Sequence, residues 1–132
     1  MESLPFQLIK NEIRKSVPAS NLISILLFGS AVASNELARD YDLLIVTRKL
    51  PPHDWILAGK IKFNLLGKVD KPLDIVFMEE RDLGYTSPFV YEVGQKSKVL
   101  YGKDITPQLR KASQKVSVFM KRGALLGWQI AE

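Results

Sequence analysis

Apolar residues recur at helical steps in the first part of the chain. Phe6, Ile9, Ile13 and Val17 are three or four apart, Pro5 stands in a first turn where a missing N–H costs nothing, and Pro18 closes the run. This spacing predicts an amphipathic helix over residues 5–17, with Lys10, Asn11, Arg14 and Lys15 on its polar face. The pattern then changes. Leu22 to Phe28 is almost continuously apolar between Asn21 and Gly29, and Tyr41 to Thr47 is similar, so both read as short buried strands. After Pro51-Pro52, Leu57, Ala58, Ile61 and Leu65 mark a helix over roughly residues 54–66, which Gly67 can end in the left-handed conformation. Leu73 to Met78 reads as a third strand. Ser87-Pro88 is a cap and first-turn pair for a short helix to about Gly94, and Lys98 to Tyr101 is a brief strand ending at Gly102. Alternating helices and strands predict an α/β or α+β domain, with helices covering a small central sheet.

The last part of the chain has one continuous period. From the cap and first-turn pair Thr106-Pro107, the residues Leu109, Ala112, Val116, Phe119, Gly123, Leu126 and Ile130 step by threes and fours. Met120, Ala124, Leu125 and Trp128 widen that seam, predicting a long C-terminal helix of about 36 Å. The expected organisation is a domain over residues 1–105 followed by a helix over 106–132. That helix belongs either to the same domain or to an interface with a second copy or a partner, because a single seam does not say what it faces.

Composition narrows the class. A chain of 132 residues buries roughly two-thirds of its unfolded surface, enough for one core without covalent staples. It contains no cysteine, which removes disulfides, zinc–thiolate sites and thiol nucleophiles together. The first residues lack a basic stretch leading into an apolar one, and the apolar runs are far too short to span a bilayer, so a cytoplasmic protein without a membrane role is expected. The net charge of +5 is unevenly placed. Lys96 to Arg122 carries eight basic residues against Asp104 alone, a local +7, while the rest of the chain is at −2. A solvated helix face is the plainer reading of that segment; contact with a phosphate backbone is the other.

The candidate chemistry lies between the first two strands and at the start of the third. Asp40 and Asp42 flank one residue at the mouth of an apolar strand, where alternation turns both to the same side. Two carboxylates about 4 Å apart repel by roughly 4 kcal/mol at an effective dielectric near 20, so such proximity calls for a cation or a proton. Asp74 opens another apolar strand, and adjacent pairing would set it beside the first two. Three carboxylates on neighbouring strands form the oxygen-rich donor set that Mg²⁺ or Mn²⁺ prefers. Gly29-Ser30 can turn sharply out of its strand, offering backbone N–H groups and a hydroxyl to a phosphate. A phosphate cradle opposite three carboxylates is machinery for phosphoryl or nucleotidyl transfer, in which positioning and charge neutralisation do most of the catalysis.

These residues resemble a known family. Phe28-Gly29-Ser30, then after nine intervening residues Asp40-Tyr41-Asp42-Leu43, then Leu73-Asp74-Ile75-Val76, are similar to the Gly-Ser, Asp-x-Asp and third-Asp signatures of DNA polymerase β-like nucleotidyltransferases. Lys98 to Asp104 resembles the closing strand of that family, and the chain length resembles its minimal members. The resemblance implies a small mixed sheet flanked by helices. It further implies metal held by Asp40, Asp42 and Asp74, an NTP such as ATP bound through Gly29 and Ser30, and transfer of a nucleoside monophosphate to a hydroxyl. Asp74 would help to deprotonate the attacking group. Minimal members resemble toxin–antitoxin components that pair with a helical HEPN-type protein, so the implied partners are the NTP and such a protein, with the acceptor hydroxyl on a tyrosine or serine.

One departure stands out. Family members often continue Gly-Ser with an Arg-Ala-Arg-Gly-like stretch, whereas Ala31-Val32-Ala33-Ser34 follows here, so two cations and a glycine are missing. Arg39, Arg48 and Lys49 are the candidates to replace them. The departure keeps two alternatives open: an antitoxin-like binding subunit with a weak or decayed site, and a nucleic-acid terminal nucleotidyltransferase favoured only by the basic tail. Asp70 reads as a turn residue, His53 as a helix-start residue without a second histidine to share an ion, and Trp55 and Phe63 as core or interface aromatics.

Overall fold

The computed structural model describes residues 3–34, 36–84 and 87–112. In chain order the elements are α1 (Leu4–Ser16), β1 (Leu22–Phe28), α2 (Ser30–Ala33), β2 (Tyr41–Thr47), α3 (Asp54–Leu65), β3 (Leu73–Glu79), a 3-10 turn (Glu80–Asp82), α4 (Pro88–Gln95) and β4 (Ser97–Gly102). A further helix begins at residue 106. The elements expected from periodicity up to β4 are present within a residue or two at each end; most of the expected C-terminal helix lies outside the described residues. Additional are the 3-10 turn and the single-turn α2, both too short to show a period.

The four strands form one mixed sheet in the order β3-β2-β1-β4. β1 pairs antiparallel with β2 and with β4, while β2 and β3 are parallel. A parallel neighbour requires a crossover, which α3 supplies. Both faces of the sheet are covered, which explains why β1 and β2 read as continuous apolar runs rather than alternating ones. On one face α1 contributes Phe6, Ile9 and Ile13, and α3 contributes Ala58, Ile61 and Leu65, against Ile25, Leu27, Leu43 and Ile45. On the other, Val90 and Val93 of α4 join Leu26, Phe28, Leu44 and Val46. An irregularity in β1 between Leu22 and Ser24 shifts the register, so Leu22 faces the same way as Ile25 and Leu27.

Tyr41 fixes the start of β2. Its ring is fully buried and packs edge-on to Phe6 at 5.3 Å, its N–H donates to the Pro72 carbonyl at 2.9 Å, and its hydroxyl donates to Asp70 Oδ1 at 2.8 Å. Asp70 is thus the turn residue expected, with a role as an anchor, and the Tyr41 hydrogen bond holds its carboxyl below the ordinary range. Trp55 and Phe63 are not core residues: they are 69% and 76% exposed on the outer side of α3, because Ala58, Ile61 and Leu65 take the inner stripe. His53 occupies the N-cap position of α3, as expected, in the left-handed conformation at φ 51°.

The beginning of the last helix belongs to the core of the second face. Ile105, Leu109 and Ala112 are buried there with Leu26, Leu44 and Leu83. The rest of the expected seam, from Val116 to Ile130, lies outside the described residues. A chain ended before residue 106 should therefore be less stable than one ended after Ala112 by about 2–4 kcal/mol, the burial of one leucine and one alanine. Urea denaturation of the two truncations checks this, and equal midpoints would contradict it.

Candidate functional site

The polar residues singled out in the sequence gather at one end of the sheet. Strand register brings them there. Phe28, the last residue of β1, is paired with Asp42, and Asp42 is paired with Asp74 across the parallel β2–β3 junction. Gly29 and Ser30 leave β1 beside these acids. Asp42 and Asp74 stand in phase with Leu44 and Val76 and so project from the second face, toward the side that α4 covers. Asp40 precedes the strand by one residue, in a bend, so strand alternation does not govern it. Its charge nevertheless acts on Asp42.

Asp42 is the electrostatic centre of the cluster. Its pKa is pushed from an ordinary 3.8 up to about 6, first by partial burial and then by the charges of Asp40, Asp74 and Glu92. Glu92, on α4, is a fourth acid that the sequence motifs do not show. Among the described residues no group of three or more His, Cys, Asp or Glu side chains forms a ready-made metal site. The carboxyls act on one another through charge without closing a cage. Such an open, hard-oxygen donor set suits Mg²⁺, which keeps several waters and relies on substrate phosphates for the rest.

Gly29 is required twice over. Its φ of 79° lies in the region that side chains rarely adopt, and a Cβ built there would collide with Asp42 Oδ2. The backbone of the turn and the carboxylate of Asp42 are thus in direct apposition. Beyond the turn, a cleft of about 450 Å³ is lined by Gly29, Ser30, Ala33, Tyr91, Glu92 and Lys96 among others. Its far wall is the face of α4 opposite Val90 and Val93, and the helix is fixed at its start by Ser87 Oγ, which accepts from the Val90 N–H at 3.1 Å. Tyr91, Glu92 and Lys96 were missed because no local motif marks them. Helical spacing on α4, which separates them from Val90 and Val93, was the signal available.

The proposed substitutes for the missing arginines divide clearly. Arg48 and Lys49 follow the far end of β2, where Arg48 Nε donates to the Ser20 carbonyl at 3.0 Å. Six strand steps separate Arg48 from Asp42, about 20 Å. They do not serve this site. Arg39 is exposed beside Asp40 and does not line the cleft.

The raised pKa of Asp42 makes a signed prediction. Between pH 3.8 and about 6 the native state holds this proton more tightly than the unfolded chain, so its contribution to stability falls as pH rises through that window. Above about 6 the ionised carboxylate is a cost that Asp42→Asn removes. Without metal or nucleotide, the variant should melt higher than the parent at pH 7.5, and the difference should fade by pH 4. Thermal melts across that range check it, and a lower melting temperature at pH 7.5 would contradict the electrostatic reading.

Comparison with known proteins agrees with this architecture. No curated protein matches the chain by sequence. Among solved structures, a toxin–antitoxin crystallised with AMP-PNP superposes with a TM-score of 0.62 at 21% identity, covering 92% of this chain and 91% of the other. A Shewanella oneidensis HEPN toxin, tri-AMPylated and in complex with its MNT antitoxin, gives 0.56 at 22% identity, covering 92% and 95%. Spectinomycin adenyltransferase AAD(9) from Enterococcus faecialis, solved with ATP and spectinomycin, gives 0.56 at 17% identity, covering 80% of this chain and 58% of its own. These likenesses establish a shared fold. The family model for polymerase beta nucleotidyltransferases matches residues 9–106, from α1 through β4, and the chain belongs to that family.

Proposed function

We propose that the protein transfers a nucleoside monophosphate from an NTP, ATP in particular, to a hydroxyl on a partner protein, with Mg²⁺ or Mn²⁺ held by Asp40, Asp42 and Asp74. The observation that carries this reading is the pairing of Asp42 with Asp74 beside a glycine turn that has no room for a side chain. The bound ion would neutralise phosphate charge. Ser30 and the backbone of the turn would hold the phosphates, and Asp40 and Asp42 would fix the α-phosphate region. Asp74, exposed at the strand edge, would take the proton of the incoming hydroxyl. The hydroxyl oxygen bonds to the α-phosphorus, the α–β bridging bond breaks, and pyrophosphate leaves.

The choice of AMP and of a HEPN-type helical partner is supported by the neighbours: one is a tri-AMPylated HEPN toxin in complex with MNT antitoxin, and another an adenyltransferase with ATP. No helix among the described residues is long and apolar enough to cross a membrane. A second reading, an antitoxin-like subunit that acts by contact alone, is favoured by Ala31 and Ala33, which stand where cations are common in the family. Terminal transfer to nucleic acid has less support. Lys98 and Lys103, in the basic segment, are engaged with the Phe6 ring and with Glu80 respectively.

Labelled ATP mixed with the chain and its co-purified partner should move label onto a partner tyrosine or serine, identified by mass spectrometry. Asp42→Asn should reduce that transfer by at least about a hundredfold while the fold survives. Ser30→Ala should lose about tenfold or less, since one neutral hydrogen bond contributes about 0.5–1.5 kcal/mol. Neutralisation of the partner without any label transfer would favour the contact-only reading.

A further inference from the structure

The cleft beside Gly29 and Ser30 must accept a polyanion on the transfer reading, yet its lining holds a single cation beside an acid. Glu92 lines it, Asp42 borders it, and the turn that opens it carries no positive residue from Ser30 to Ser34. One basic side chain, Lys96, is among its lining residues. Two independent features place Lys96 there. The antiparallel pairing of β1 with β4 sets Phe28 opposite Ser97, so continuing that register by one residue brings Lys96 opposite Gly29. And Lys96 closes α4, directly after the residues that form the far wall.

Arg39, beside Asp40, does not line the cleft, and four other cations near the sheet are engaged elsewhere. Lys98 Nζ lies over the Phe6 ring at 5.5 Å, Lys71 pairs with Asp70 at 3.4 Å, Lys103 pairs with Glu80 at 3.6 Å, and Arg14 lies over Tyr101 at 4.7 Å. Among the described residues no ion pair engages Lys96, which is exposed. We infer that Lys96 is a nucleotide-positioning residue: its ammonium holds the β- and γ-phosphates of the NTP across the cleft from Ser30. It thereby takes over the charge that family members commonly carry just after Gly-Ser. The inference rests on the transfer reading, because the α-phosphate is then placed at the aspartates and the remaining two phosphates extend into the cleft.

Calorimetric titration of the full chain with ATP and with AMP, each with Mg²⁺, tests it. The parent should bind ATP more tightly than AMP. Lys96→Ala should weaken ATP about 10- to 100-fold, as expected for a lost charge-assisted hydrogen bond, and change AMP less than about twofold. Lys96→Arg should restore most of the ATP affinity, and Lys96→Glu should weaken ATP further than alanine does. If the parent binds ATP and Lys96→Ala binds it equally well, the assignment of Lys96 is wrong while the transfer reading stands. Parallel losses for ATP and AMP assign Lys96 a structural role and overturn the inference. If the parent binds neither nucleotide, the transfer reading fails and this inference fails with it.

Discussion

The working end of this protein depends on an unfavourable contact held in place by a favourable one. Parallel pairing of β2 with β3 sets Asp42 beside Asp74, a juxtaposition of like charges that neither residue would adopt in a free chain. The hydrophobic burial on both faces of the sheet keeps them there. Leu44 and Ile45 follow Asp42 along the same strand and are fully buried, one toward each layer, so the strand cannot slide to relieve the repulsion without turning apolar side chains outward. Tyr41 adds a second restraint immediately beside the acids, tying the strand to Asp70 and Pro72 in the connection before β3. Partial burial first, and then the charges of Asp40, Asp74 and Glu92, push the Asp42 pKa up. On the proposed function, a cation would relieve that repulsion, and affinity for the ion would be coupled to the rigidity of the core.

Much of this was legible before any coordinates. The strands over Leu22–Phe28 and Tyr41–Thr47 fall at the expected residues because apolar runs bounded by turn residues leave little choice. Asp40, Asp42, Asp74, Gly29 and Ser30 were readable as a group because each sits at an end of such a run. What remained hidden depends on partners distant in sequence. Glu92 and Lys96 matter only because the antiparallel return of β4 brings the end of α4 back to the turn after β1, more than sixty residues earlier. The outward position of Trp55 and Phe63 was equally hidden. A helix as apolar as α3 offers more than one stripe, and the choice is made by the sheet beneath it.

The distribution of charge around the site also separates this chain from the common pattern of its family. Where a basic turn would keep the cations within a few residues of Gly-Ser, Ala31 is instead buried against the core and Val32 packs against it. The first part of the turn has been given over to packing, while Ala33 lines the cleft as a neutral side chain. What charge the cleft possesses is carried by its opposite wall, so the two walls are unlike: one of backbone and a hydroxyl, the other of ionisable side chains on a short helix.

Gly29 has a consequence for how this sequence can vary. The space that its missing side chain leaves is taken by the Asp42 carboxylate, so the two positions share one volume and neither can grow while the other is kept. An added methylene at position 42 would push its carboxylate into the backbone of the turn. An added methyl at position 29 would displace the carboxylate from its neighbours Asp40 and Asp74. The turn therefore acts as a length gauge for the acid: substitution at either residue is constrained by sterics before chemistry has any say, and a copy of this domain that had lost its activity would still be held to glycine and a short side chain by packing alone.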